Sequence, residues 1–153
     1  MKNVKTIILI ISVFLNVFLI YRFFIAGNTV PNPKDSRVAI QISEPNRDMI
    51  LKEMRTFLEA VRNIHEGIET NDYKKIETYA TASGMSLEKN VPADLVRSLP
   101  LPFKKLGFNT HDKFDELAKM AKEQKSKQLM HQELNSLMNN CTSCHASYKI
   151  LSK

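Results

Sequence analysis

Cys141, Cys144 and His145 stand together in the stretch CTSCH, and the chain has no other cysteine. On a helix, residues three apart share a face, so both thiols project to one side while the adjacent imidazole reaches the space beside them. A C-x-x-C-H run of this kind marks covalent attachment of a c-type haem. The two thiols meet the two vinyl groups along one edge of the porphyrin, and the histidine points at the iron. Rival chemistries are weaker. A disulfide between Cys141 and Cys144 would staple very little, and a thioredoxin-like dithiol belongs near a βαβ unit that the sequence does not contain. Zinc would need a fourth ligand, and adjacent Cys144 and His145 sit awkwardly in one tetrahedron. Two buried structural cysteines are the plain alternative.

Covalent haem attachment happens outside the cytoplasm in bacteria, and the N-terminus supplies a route there. Lys2 and Lys5 precede an apolar run over residues 7–21, interrupted only by Ser12 and Asn16, with RFFIAG behind it. With Arg22 snorkelling to the interface, the run reaches the roughly 20 residues a bilayer requires. Small residues at a cleavage spacing are not obvious near Ala26 and Gly27, so residues 1–27 read as an uncleaved membrane anchor in preference to a removed export signal. The leading lysines keep the N-terminus inside. The expected location is the bacterial inner membrane, single-pass, with the body in the periplasm; a cleaved signal would leave it soluble there.

The 153 residues leave room for one domain beyond that segment. Of the formal charge of +6, three positive charges (Lys2, Lys5, Arg22) lie in the N-terminal segment and no acid does, so +3 remains. That is too mild to argue for nucleic acid. Scarce glycine and absent tryptophan favour a mainly helical protein.

Residues 28–45 hold three prolines and no sustained period, and read as a tether. From Arg47, Ile50, Met54, Phe57, Val61, Ile64 and Ile68 recur at gaps of four and three, widened by Leu51 and Leu58, which predicts an amphipathic helix capped by Asn46. Asn71 and Asp72 break it, and a second helix carries Tyr73, Ile76, Tyr79 and Ala80 up to Gly84. Pro92, Pro100 and Pro102 predict a long packed connection with one short helix in ADLVRSL. A third helix is expected from Asn109 or Thr110, with Phe114, Leu117, Ala118 and Ala121 inward. After EQKSKQ, a fourth carries Met130, Leu134, Leu137, Cys141, Cys144, Tyr148 and Leu151. No strand pattern is evident. The predicted fold is all-α, a four-helix bundle over residues 46–153.

Only the segment from Ala146 to Lys153 follows His145, so a second axial ligand is expected upstream. CTSCHASYK resembles the C-x-x-C-H-x-x-(Tyr or Phe)-(Arg or Lys) ending of class II cytochromes c, the cytochrome c′ and low-spin cytochrome c-556 group. The resemblance covers the bundle, but its specific part is this final motif. It implies one covalent haem c held by Cys141 and Cys144, His145 as proximal ligand, Lys149 near a haem propionate and Tyr148 as the packing aromatic. It also assigns the distal position to the first bundle helix, where Met54 is the candidate. Met49 lies off the main stripe, His65 on its flank would give a bis-histidine centre, and His131 and His111 are weaker candidates.

The distal group separates two functions. Filled by Met54, the site belongs to a single-electron carrier, not an enzyme, whose basic residues Lys149 and Lys153 would steer an acidic redox partner. Left open, as in typical cytochromes c′, it would bind a small gas such as nitric oxide or carbon monoxide. Family members often form homodimers through the first two helices. No paired carboxylates, phosphate loop or distal acid or base marks an enzyme.

Overall fold

The computed structural model describes residues 2–33 and 35–153. Met1 of the expected anchor and Lys34 of the expected tether lie outside them. The described chain is mostly helical, with six α-helices. The first, α1 (Lys2–Ile20), runs on into a π-helical turn at Tyr21–Ala26. Val4–Ala26 is long and apolar enough to cross a membrane, and its most apolar window is entirely exposed. A membrane span and a signal sequence both have this character.

The segment expected to be a loose tether is structured. Gly27 leaves the π turn at φ 65°, a left-handed conformation, and a Cβ there would lie 2.4 Å from the Pro100 nitrogen. β1 (Thr29–Val30) pairs antiparallel with β2 (Val38–Ile42), which pairs parallel with β3 (Tyr148–Ser152). The cause lies in V-A-I-Q-I, whose Ala39, Ile40 and Ile42 are fully buried or nearly so. Pro31 and Pro33 fall between the strands, and Pro45 occupies the first turn of the next helix, where a missing N–H costs nothing. The expectation of an all-α fold is corrected by this three-stranded sheet.

α2 (Glu44–Thr70) starts after Ser43, before the expected Asn46, and ends as expected at Asn71, whose left-handed backbone (φ 58°) caps it. Asp72 then caps α3 (Tyr73–Ser83), accepting the Lys75 N–H at 2.9 Å. A 3₁₀ turn (Met85–Asn90) and the short α4 (Ala93–Ser98) follow. α5 (Leu101–Lys122) begins well before the expected Asn109 or Thr110, because Pro102 sits in its first turn, where proline is tolerated. α6 (Lys127–Ser147) is capped by Ser126 and stops before Tyr148, so Tyr148 and Leu151 belong to β3 and not to the helix.

Around one core, α2 packs on α3 and α6, and α5 packs on the same two helices. Ile64, Ile68, Ile76, Phe114, Leu117, Met130 and Leu137 fill that core and are fully buried. A second, smaller core joins Ile40 and Ile42 of the sheet to Ile50, Leu95, Leu99 and Phe103. Each buried aliphatic side chain contributes about 1.5–3 kcal/mol. The end of the N-terminal helix and the segment after it are bonded to α4 and α5: the Lys104 ammonium donates to the Phe24 carbonyl at 2.9 Å, and Asn28 N–H to the Ser98 carbonyl at 2.7 Å.

Candidate functional site

Between the two cores lies a cavity of about 870 Å³, within the range of 300–1,000 Å³ common for cofactor pockets. α2 forms one wall, α4 and the start of α5 a second, and α6 a third. Cys141, Cys144 and His145 all line it from α6, so the helix brings the motif's three groups to one opening. Cys141 packs on the larger core and Cys144 on the smaller.

Met54 reaches the same cavity from α2 and packs on the second core. It also borders, with His145 and Cys144, an adjoining cavity of about 190 Å³. Of the expected distal candidates, Met49 also lines the large cavity, but not the small one. His65 and His131 line neither; their rings are tilted against each other, centres 5.5 Å apart, where α2 meets α6. His111 does not open a helix as expected. It sits in the middle of α5, 1% exposed, on the cavity wall.

The cavity explains where the apolar stripe of α2 departs from a plain core face. Ile50, Ile64 and Ile68 are buried, whereas Met54, Phe57 and Val61 are only partly so, and Leu58 is 72% exposed. All four of these less covered residues line the cavity. Phe108 and Met138 add exposed apolar surface to its rim, and a Cβ at Gly107 would touch nothing within 4 Å. Such a contiguous apolar surface is built to be covered.

The donor set suits haem c. Both cysteines are free. Burial pushes the Cys141 thiol up, and burial together with Cys141 pushes Cys144 to about 11. A redox-active dithiol needs the opposite tuning. Among the described residues, neither the His145 ring nor the Met54 sulfur has a hydrogen-bond partner, which leaves both free to ligate.

Two basic residues sit at the small cavity. Lys149, expected near a haem propionate, lines this cavity with its ammonium 3.9 Å from Asp35. Arg37 is an addition. Its guanidinium grips Asp35 through two nitrogens, and this bond, aided by the Arg37 N–H, holds the Asp35 carboxyl at about 2. Tyr148 stands edge-on to Phe103, ring centres 5.3 Å apart, at the same cavity. The parallel register, Val38 opposite Tyr148, delivers Arg37 here. A local D-x-R pair signals an ion pair, but only the strand pairing reveals its place.

The sequence reading also missed a polar trio on the cavity wall. His111 Nδ1 meets the Ser83 carbonyl at 2.8 Å, and Nε2 lies 2.8 Å from Glu88 and 3.5 Å from Glu53. Burial opposes a charged ring, but the Glu88 bond, the Ser83 carbonyl and the two carboxylate charges outweigh it and raise the His111 pKa. Burial raises Glu53, with His111 opposing and Glu88 adding to the shift. The signal was available: His111, Phe114 and Ala118 share one inward stripe.

Comparisons of the chain with family models, with curated proteins and with solved structures each found no match.

Proposed function

We propose that this chain is a monohaem c-type cytochrome of the class II kind, a four-helix bundle tethered to the bacterial inner membrane, which passes single electrons between partner proteins in the periplasm. The observation that carries the reading is the opening of Cys141, Cys144 and His145 onto one apolar cavity whose facing wall presents Met54. The ring of α2, α3, α5 and α6 around one core supports the bundle. The exposed N-terminal helix supports the tether.

In this reading Cys141 and Cys144 would hold haem c through thioethers, and His145 and Met54 would ligate its iron. The haem supplies reversible one-electron iron chemistry, and thioether ligation raises its potential. The chain's own residues do the rest. Leu58, Val61, Phe103 and Leu106 would pack apolar surface on the bound haem, which favours the less charged reduced state. Arg37 and Lys149 offer cations to the propionates, with Asp35 orienting both. With Met54 as a ligand beside His145, the iron would have no position left for a substrate, which fits a carrier and not an enzyme.

The test is the optical spectrum of the oxidised, haem-loaded protein beside that of Met54→Ala. A far-red sulfur-to-iron band present in the wild type and lost in the variant supports the carrier. A high-spin wild type whose reduced form takes up carbon monoxide at once assigns the protein to gas binding instead.

A further inference from the structure

We propose that His65, Glu69 and His131 form a second site, which binds a divalent transition-metal ion and clasps α2 to α6. His65 and Glu69 stand four residues apart on α2 and so share a face. That face meets α6 at His131. The ligand atoms of the three side chains lie within 4.8 Å of one another. His131 Nε2 is already 2.9 Å from Glu69 Oε1, and the two imidazoles lie 5.5 Å apart, inclined at 59°.

Metal bonds of about 2.0–2.2 Å put neighbouring donors of a tetrahedral site roughly 3.3–3.5 Å apart. Exposed side chains close the remaining gap by small rotations within their rotamer wells. The local charges leave the donors available. Glu66, one turn before Glu69, is taken by Arg62 and Lys75. The Lys127 ammonium donates to the Glu69 backbone carbonyl, not to its carboxylate. Among the described residues, His131 alone bonds that carboxylate.

Two imidazole nitrogens and one carboxylate oxygen select zinc, copper(II), nickel, cobalt or iron(II) over calcium and magnesium, which take oxygen ligands. Remaining positions face solvent and fill with water. None of the three residues lines the haem cavity. His131 precedes Cys141 by about 15 Å along α6, so the site stands whether or not the haem reading does. Because the donors come from two helices that are adjacent only when folded, the ion also stabilises the fold.

The experiment is a calorimetric titration of the purified, chelator-treated, haem-loaded protein with zinc, for the wild type, His131→Ala and the double variant His65→Ala with His131→Ala. The wild type is expected to bind one zinc that the double variant does not, with at least a tenfold loss in His131→Ala. Copper(II) in the same site should show nitrogen coupling from two imidazoles in its paramagnetic resonance spectrum, and from one in His131→Ala. Zinc should raise the unfolding midpoint of the wild type only. Both histidines are at least partly exposed, so the variants fold, and their metal-free midpoints check this. If haem is absent, zinc held by Cys141, Cys144 and His145 appears equally in all three proteins and cancels in the difference. Equal binding by wild type and double variant, or no uptake by the wild type up to millimolar zinc, overturns the site.

Discussion

His111→Leu probes the polar trio on the cavity wall. The substitution keeps most of the bulk but removes the imidazole that both Glu53 and Glu88 face, together with the donor to the Ser83 carbonyl. Breaking a buried ion pair costs about 3–5 kcal/mol. Glu53 and Glu88 keep 28% and 21% of their side-chain surface in water, which lowers the cost of leaving them unpaired. About 3 kcal/mol is therefore expected, equivalent to roughly 10 °C in the unfolding midpoint of a body this size. The pH dependence gives a second readout. The His111 pKa is raised on folding, so its contribution is fully present below the unfolded histidine value of about 6.5 and is lost as pH rises through the folded value. Glu53 is raised too, so its protonated form also favours the folded state at low pH, and this contribution fades as pH rises through its folded value. Thermal unfolding followed by circular dichroism from pH 6 to pH 9 should show the wild type losing stability as pH rises and the gap to His111→Leu narrowing. A gap below about 2 °C at pH 6, or one that widens with pH, would refute the assignment of His111 as the trio's cation.

Two further outcomes follow from the sheet and its neighbours. Ile40→Ala should cost about 2–5 kcal/mol in denaturant unfolding, because Ile40 is wholly buried in the second core; a loose tether would lose nothing. In the haem-loaded protein, Arg37→Ala should lower the midpoint potential by on the order of tens of millivolts, because a nearby cation that disfavours the oxidised iron is gone. An unchanged or raised potential would remove Arg37 from the propionate edge.

Local signals were legible in the sequence, and long-range ones were not. The stripe of α2, the Asn71–Asp72 break and the inward faces of α5 and α6 all follow from one-sided burial and capping, which neighbouring residues encode. That Cys141, Cys144 and His145 share one helix and one opening was legible for the same reason, since the spacing needs only one turn of helix. The sheet was hidden because β2 and β3 are separated by nearly the whole domain, and parallel pairing leaves no turn signal between its partners. For the same reason Arg37 went unrecognised, although Lys149 and Tyr148 beside it were named. Pro100 and Pro102 read as breakers because proline stops a helix from within, yet here they open one. Met54, Phe57 and Val61 looked like ordinary core in the periodicity; only their incomplete cover distinguishes a cavity wall from packed interior.

Covalent haem on Cys141 and Cys144 is tested by the intact mass of the protein after expression in a bacterium able to attach haem c to exported chains. The wild type should weigh one haem more than its polypeptide under denaturing conditions, and Cys141→Ala with Cys144→Ala should weigh the polypeptide alone. A wild-type mass equal to the bare chain in that host, with export confirmed, would contradict the account.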